Sequence, residues 1–504
     1  MAWTPPRRIT SATTSVSVIS TTDTSVFITH PNTYRGNDTF NTLTAVKNSI
    51  NATTGGFAPL NDGTAGTTLY GGLSNRSIGI VGKTTLRPAL LSGADASTIG
   101  WRGTFGGSTT VYANPSAIFC IWGGGMFNGH AFFCGVNGGH QAWYGNDLYM
   151  VRVADPVGAY RVHDPAPPGA ATGAGFTGPS SGFAYPAGVS TLLARVDWYT
   201  SSAYAAAIRP IGEWGPMTQH NYSGWGWDPI NEQIVFTGDA QINIRNMSAE
   251  LQPAISDGVI WTFDINAATP KQAWGTPHVF HPNEIGTGYT EGFKAGYSVV
   301  RNADNTFGFR SSGDSLTVRT LNPATGAITT GRAVGAGGPV PSRYGPWPDT
   351  VRDPITNKYY EVGGPDVYDT VVGGYRTNFR LWECVNGGYQ SRFHWLGTPM
   401  NPGLLVNDAV WNKVRTDASP GMVVRNGIAY CWVGTNQVLR VDTNAGTYTK
   451  YIGTENVQHD LDGGVFNGVY GRWAYHEATG VFVGLSTTEQ DVWVFRPPSS
   501  WGAI

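Results

Sequence analysis

The stretch GGHQAWYGNDLYMVRV, Gly138 to Val153, decides how the chain is read. Two glycines end an apolar run, and a polar, aromatic turn follows. Asn146 and Asp147 then introduce an alternating segment, Leu148 to Val153. Alternation with period two is the mark of a half-buried strand. Glycine and Asn beside it supply the turn. The stretch is therefore a strand, a glycine-marked turn and a second strand.

It is not alone. QIVFTGDA (233–240) leads to GVIWTFD (258–264), and TFGFRSSGD (306–314) to SLTVRTL (315–321). KYYEVGG (358–364) leads to NFRLWEC (378–384), IAYCWVG (428–434) to QVLRVD (437–442), and VFVGLS (481–486) to DVWVFRP (491–497). Ahead of several copies stands a further strand with a tight turn: WGWDPINEQ, TVRDPITNK and WAYHEATGV. Pro presets φ there, while Asn and Gly accept the left-handed region. The repeating unit is strand, tight turn, strand, loop, strand, with a fourth strand in the connection. Tyr149, Trp261, Trp382 and Trp493 fall at equivalent third-strand positions.

The spacing suits units of ~50 residues. The longest gap holds a hidden unit at STLLARVDWY (190–199), which makes seven. Radial closure of four-stranded units leaves few exposed edges. The fold class is thus all-β: a seven-bladed propeller over 105–504, preceded by a strand-rich arm over 1–104. A strand from near residues 105–120 is expected to complete the last blade, with residues 1–60 dispensable for folding.

The glycine pair followed by an aromatic residue and Asn-Asp-hydrophobic-aromatic resembles the kelch repeat. Across four fifths of its length the chain is similar to kelch-like and galactose-oxidase-type propellers, of the kind found in bacterial and bacteriophage proteins. NGVYGRWAYHEATGVFVGLSTTEQDVWVFRPP (467–498) resembles the closing blade of bacterial kelch-like propellers of unassigned function. A propeller hosts unrelated functions, so chemistry has to be argued from residues.

Composition narrows the classes. Charged residues are 13% and the net charge is −2, with 68 glycines and 12% aromatics. No basic tract is present, so nucleic acid is not an expected partner. No apolar run has the ~18 residues of a membrane helix. Arg7 and Arg8 are followed by TSATTSVSV, too polar for an export signal. Cys120, Cys134, Cys384 and Cys431 lack zinc spacing, and the first, second and last lie in apolar runs as buried thiols. Asn37, Asn51, Asn75, Asn221 and Asn246 begin N-x-S/T sequons that matter only in a secretory pathway.

Candidate chemistry is sparse. The resemblance to galactose-oxidase-type enzymes implies copper at a Tyr-His pair. Tyr475-His476 has those letters but sits in a repeat's tight turn, and no Cys matches the crosslink. His278 and His281 in HVFH lie among prolines and read as loop. QHDLDGG (458–464) offers His459, Asp460 and Asp462, two of them possible calcium-type oxygen donors, against an ordinary Asx turn. No metal and no cofactor are expected.

QHNYSGWGWD (219–228) is the richest stretch. Some polysaccharide lyases are propellers that abstract a proton with His and Tyr, which would cast His220, Tyr222 and Tyr289 as catalytic. Trp225, Trp227 and Tyr289 would equally serve a glycan-binding surface, or simply pack a blade. Glu291 and Lys294 accompany Tyr289.

In the arm, SVSVISTTDTSVFI is rich in β-branched residues, with Asp23 its sole charge. An unpaired edge of this kind invites association, so the arm is expected to pair with other subunits. Phe40, Leu43, Val46 and Ile50 form one stripe of a short helix within 37–52. The reading is a non-enzymatic structural or receptor/glycan-binding component of a large assembly, a bacteriophage virion protein made in the host cytoplasm. The alternatives are a propeller-type carbohydrate-active enzyme and a kelch-type protein-interaction module.

Overall fold

The computed structural model describes residues 42–60, 124–135, 148–153, 158–163, 221, 223–237, 259–265, 278–279, 294–312, 317–332, 349–362, 367–369, 374–376, 380–385, 388–394, 420–457, 469–485 and 492–504. Helix α1 (Leu43–Ser49) and strand β1 (Gly56–Pro59) come first. Six four-stranded antiparallel sheets account for nearly all the rest.

Blade I comprises β2 (Gly125–Phe127), β3 (Ala131–Gly135), β4 (Leu148–Arg152) and β5 (Gly158–His163). Blade II is β6 (Trp225–Asp228), β7 (Gln233–Thr237), β8 (Val259–Asp264) and β9 (His278–Val279). Blade III is β10 (Lys294–Arg301), β11 (Phe307–Ser312), β12 (Thr317–Leu321) and β13 (Ile328–Arg332). Blade IV starts with β14 (Asp349–Arg352) and β15 (Tyr359–Val362). A two-stranded hairpin, β16 (Val367–Asp369) and β17 (Gly374–Arg376), interrupts it before β18 (Arg380–Val385) and β19 (Gly388–His394). Blade V is β20 (Gly421–Arg425), β21 (Ile428–Trp432), β22 (Gln437–Asp442) and β23 (Thr447–Ile452). Blade VI is β24 (Trp473–His476), β25 (Val481–Leu485) and β26 (Val492–Arg496), with β1 as its fourth strand.

The first strand of each blade touches the first strand of the next, from β2 through β6, β10, β14 and β20 to β24. Gly471, just ahead of β24, completes the circuit: a Cβ there would run into the carbonyl oxygen of Gly125 in β2. A Cβ on Gly421 would likewise strike Trp473. Sheets that radiate from an axis converge on their first strands, so glycine is needed where the backbones meet. The described residues thus form six four-stranded sheets around one axis, a β-propeller. The proposed hidden unit at 190–199 lies outside the described residues, and β2 and β6 touch directly where it would have intervened.

The burial gradient follows the same geometry. Second strands are covered on both faces; AFFCG and VFVGL are buried at every position. The outermost β23, TYTKYI, alternates between exposed and half-buried. Within the blades the expected equivalence holds by register. Tyr149 pairs with Cys134, Trp261 with Phe236, Trp382 with Glu361 and Trp493 with Gly484, each opposite the corresponding residue of its second strand. Bulky residues fill the seams between blades. Trp473 stacks on Phe482 at 5.0 Å and 8°, with Trp432 4.9 Å away and Tyr430 4.8 Å from Phe482. Each such pair adds about 0.5–1.5 kcal/mol to the area it buries.

The first-to-second-strand turns link neighbouring blades through polar side chains. Asp228 caps its own turn through the N–H groups of Ile230 and Asn231 and accepts a bond from Asn305 of blade III at 2.8 Å. Burial alone would raise its pKa, but bonds from Asn231, Asn305 and Gln233 hold it below the usual carboxylate value. The Asn302 side chain accepts from the Tyr359 hydroxyl of blade IV. Asp353 caps the N–H of Ile355 and accepts from Gly427 N–H of blade V at 2.8 Å. Arg425 pairs with Glu477 of blade VI and lies over the Tyr475 ring.

Closure differs from expectation. The fourth strand of blade VI is Gly56–Pro59, paired from Gly56↔Arg496 to Pro59↔Trp493, while residues 105–120 lie outside those described. Part of the stretch assigned to an arm, 42–60, therefore belongs with the propeller. Thr42 caps α1 through Ala45 N–H, and Leu43, Val46 and Ile50 are buried as the stripe implied. Arg496 donates to the carbonyls of Lys47 and Ile50, satisfying helix-end acceptors. Glu455 of blade V accepts Phe57 N–H at 3.0 Å on the outer edge of β1. Residues 9–31 lie outside the described residues. Removing residues 1–60 is now expected to lower the melting temperature by roughly 10 °C or more, the shift that several kcal/mol produces in a large domain. Removing 1–41 should leave it nearly unchanged, and thermal unfolding by circular dichroism distinguishes the two.

Candidate functional site

Three residues of the proposed site, His220, Tyr222 and Tyr289, lie outside the described residues, as does Glu291. Trp225 and Trp227 are described, and both point into the seam between blades I and II. Trp225 is buried with its ring 4.5 Å from Phe236. Trp227 is half-buried and stacks on Phe133 of blade I at 6.5 Å and 5°. Residues two apart on a strand share a face, so Trp225 and Trp227 of β6 form one column beside blade I, and Asn221 and Ser223 lead into it through a turn closed by Gly224 N–H on the Asn221 carbonyl. Gly226, on the other face, packs against Phe307 and Val299 of blade III.

Asn221 fixes this column. It is fully buried; its Oδ1 accepts Gly124 N–H at 2.6 Å and its Nδ2 donates to the Gly135 carbonyl at 2.8 Å. Ser223 carbonyl accepts Val299 N–H at 2.9 Å. A segment of three residues thus joins blades I, II and III. Asn221 had been read only as a sequon; its burial removes it as a glycan acceptor in the folded chain. Its bridging role had no local signal, because its partners are backbone groups 97 and 86 residues away. Two buried groups of the column, Ser223 Oγ and Trp225 Nε1, have no hydrogen-bond partner.

The remaining candidates resolve into structure where they are described. His476 Nδ1 bonds Thr479 Oγ1 at 2.8 Å within its own turn, and Tyr475 lies beneath Arg425, the turn role expected for that pair. His278 opens strand β9 and is not in a loop; the strand's pairing to β8 overrides the flanking prolines. His281 and residues 458–464 lie outside the described residues. Cys134 and Cys431 are fully buried, as their apolar runs implied. Among the described residues no three His, Cys, Asp or Glu side chains come together as a metal site, and no helix is long and apolar enough to cross a membrane.

No protein-family model matches the sequence, and no curated protein matches it. Solved structures that resemble it include two of virginiamycin B lyase from Staphylococcus aureus. The catalytically inactive form with quinupristin is 9% identical with a TM-score of 0.33, covering 74% of this chain and 80% of that one. The selenomethionine-substituted form is 9% identical with a TM-score of 0.32, covering 74% and 94%. A structural genomics protein of unknown function from Bacteroides thetaiotaomicron is 12% identical with a TM-score of 0.28, covering 56% and 71%. No residue role is carried over from them.

Asn221→Ala tests the column. It strands one buried N–H and one buried carbonyl, each costing about 1–3 kcal/mol. The expected loss is about 2–4 kcal/mol in urea unfolding monitored by tryptophan fluorescence.

Proposed function

We propose that this chain is a non-enzymatic structural or receptor-binding subunit of a large assembly, a kelch-like propeller carried by a bacteriophage particle. The observation that carries the reading is the use to which the described polar side chains are put. Asp228, Asp353 and His476, the groups with catalytic potential in the repeat turns, are engaged by turn and inter-blade bonds. They stabilise a ring and leave no acid–base pair open to a substrate at those positions.

The attachment role rests on where the N-terminal segment meets the ring. Helix α1 is fixed to the last blade through Arg496 and Lys47, so residues 1–41 join the propeller at its closing seam. A β-branched, nearly uncharged segment there suits pairing with neighbouring subunits.

Mass spectrometry of purified particles from the source culture, together with a glycan array probed by the isolated chain, tests this. The chain should be found in particles in stoichiometric amount, and truncation of residues 1–41 should abolish its incorporation while leaving it folded. Its absence from particles sinks the assembly reading. Turnover of any polyuronate, followed by absorbance of the unsaturated product, would replace it with the lyase alternative.

A further inference from the structure

The ring closes between blades VI and I, and two histidines meet at that seam. His476 ends β24 and is buried, its Nδ1 held by Thr479. Its ring lies edge-on to Phe127 of β2, with centroids 6.4 Å apart. His130 stands at the exposed tip of the blade I turn, and its charge acts on His476. Helix α1 lies over the same place: the Lys47 ammonium donates to the carbonyl of Thr479.

We propose that this seam is an acid-operated latch on residues 42–60, in which protonation of His476 loosens blade I, blade VI and α1 from one another and frees β1. The charges around His476 favour this. From its own turn comes Glu477, which is already paired with Arg425 of blade V; Tyr475 beside it lies under the same guanidinium. From blade I come His130 and, acting on it, Arg152. From α1 comes Lys47. A proton on His476 therefore enters a neighbourhood in which, among the described residues, the carboxylate acting on it is engaged and the other charged groups are basic.

The direction of the effect follows. Burial, then His130, hold the His476 imidazole below its ordinary value of 6.5, with Glu477 opposing. Partial burial and Arg152 lower His130. Both groups bind protons less readily in the folded chain than in the unfolded one. Their contribution to stability is complete above the ordinary value and falls as pH drops through and below it. The turn carboxylates act in a separate range: Asp228 and Asp353 are held below 3.8, so their contribution persists until the medium is more acidic than that.

What acid would free is a short edge. β1 has four residues, and Pro59 has no N–H to give. Beyond the ladder β1 is held by Glu455, by Arg496, by the packing of α1 and by the buried Phe57 ring against Phe495, Tyr451 and Trp432.

Limited proteolysis of the full chain at about pH 7.5 and about pH 5.5, the span over which histidines titrate, tests the latch. The protease is one active at both values, with its rate corrected against an unstructured substrate. Cleavage within 42–60 should accelerate in acid, by up to about tenfold for each pH unit by which His476 is displaced, and the melting temperature should fall. His476→Gln, which keeps a neutral partner for Thr479, should abolish the difference while remaining folded at neutral pH. Equal cleavage at both pH values, or an unchanged response in His476→Gln, overturns the proposal. Should that variant not fold, NMR titration of the wild-type imidazole decides: a His476 midpoint below 6.5 supports the latch, and one at or above it overturns it.

Discussion

The ladder between β1 and β26 is the bond on which the ring depends. Among the described residues five of the six four-stranded sheets take all their strands from one stretch of the chain, blade IV with a hairpin inserted. The sixth is assembled from both ends of the sequence. Without β1, β26 becomes an open edge, and an open edge exposes a row of unpaired backbone groups. The apolar face of Phe57 would also be lost from its contacts with Phe495 at 4.7 Å, Tyr451 at 6.0 Å and Trp432 at 6.3 Å. The side chains that flank the ladder act on backbone atoms: Glu455 covers an N–H of the free edge, and Arg496 holds the end of α1. A four-residue strand cannot nucleate by itself, so its place is set by the groups waiting for it.

The polar links between turns extend the same logic around the ring. In blades II and IV an Asp first caps its own hairpin and then reaches its neighbour, Asp228 to Asn305 and Asp353 to Gly427, and Arg425 of blade V reaches Glu477 of blade VI. A carboxylate already oriented by its own turn loses little further entropy when it accepts one more N–H. That is why Asp is favoured there, and why bonding outweighs burial in holding these acids ionised. One side of the propeller is thereby built from short, mutually bonded turns, on which α1 also rests.

The strand pattern was legible because its cause is local. Alternation and turn chemistry marked β3, β4, β7, β8, β21, β22, β25 and β26, and the register confirmed four aromatic positions as equivalent. The number of units was not legible. Alternating apolar residues at 190–199 satisfy the same pattern as a blade strand, and the sequence cannot say whether two first strands meet. Nor was β1: GFAP has no β-branched residue and carries both Gly and Pro, so propensity argues against the strand that tertiary pairing imposes. Asn221 failed for a third reason. Its motif fits glycosylation, while its actual partners are main-chain atoms distant in sequence. Of the proposed site, Trp225 and Trp227 are described and pack a blade, one of the roles the sequence allowed them, while His220, Tyr222 and Tyr289 lie outside the described residues.

The packing role of these rings has a geometric source. Sheets radiating from an axis are close at their first strands and diverge outward, so the space between them widens. Glycines stand where first strands meet, as at Gly421 and Gly471, and large rings on the first and second strands fill the space beside them. The aromatic richness of this sequence is then a consequence of blade packing, as the stack of Trp227 on Phe133 and of Trp473 on Phe482 makes plain. Aromatic residues lying just ahead of or within a blade strand carry little information about a ligand in such a fold.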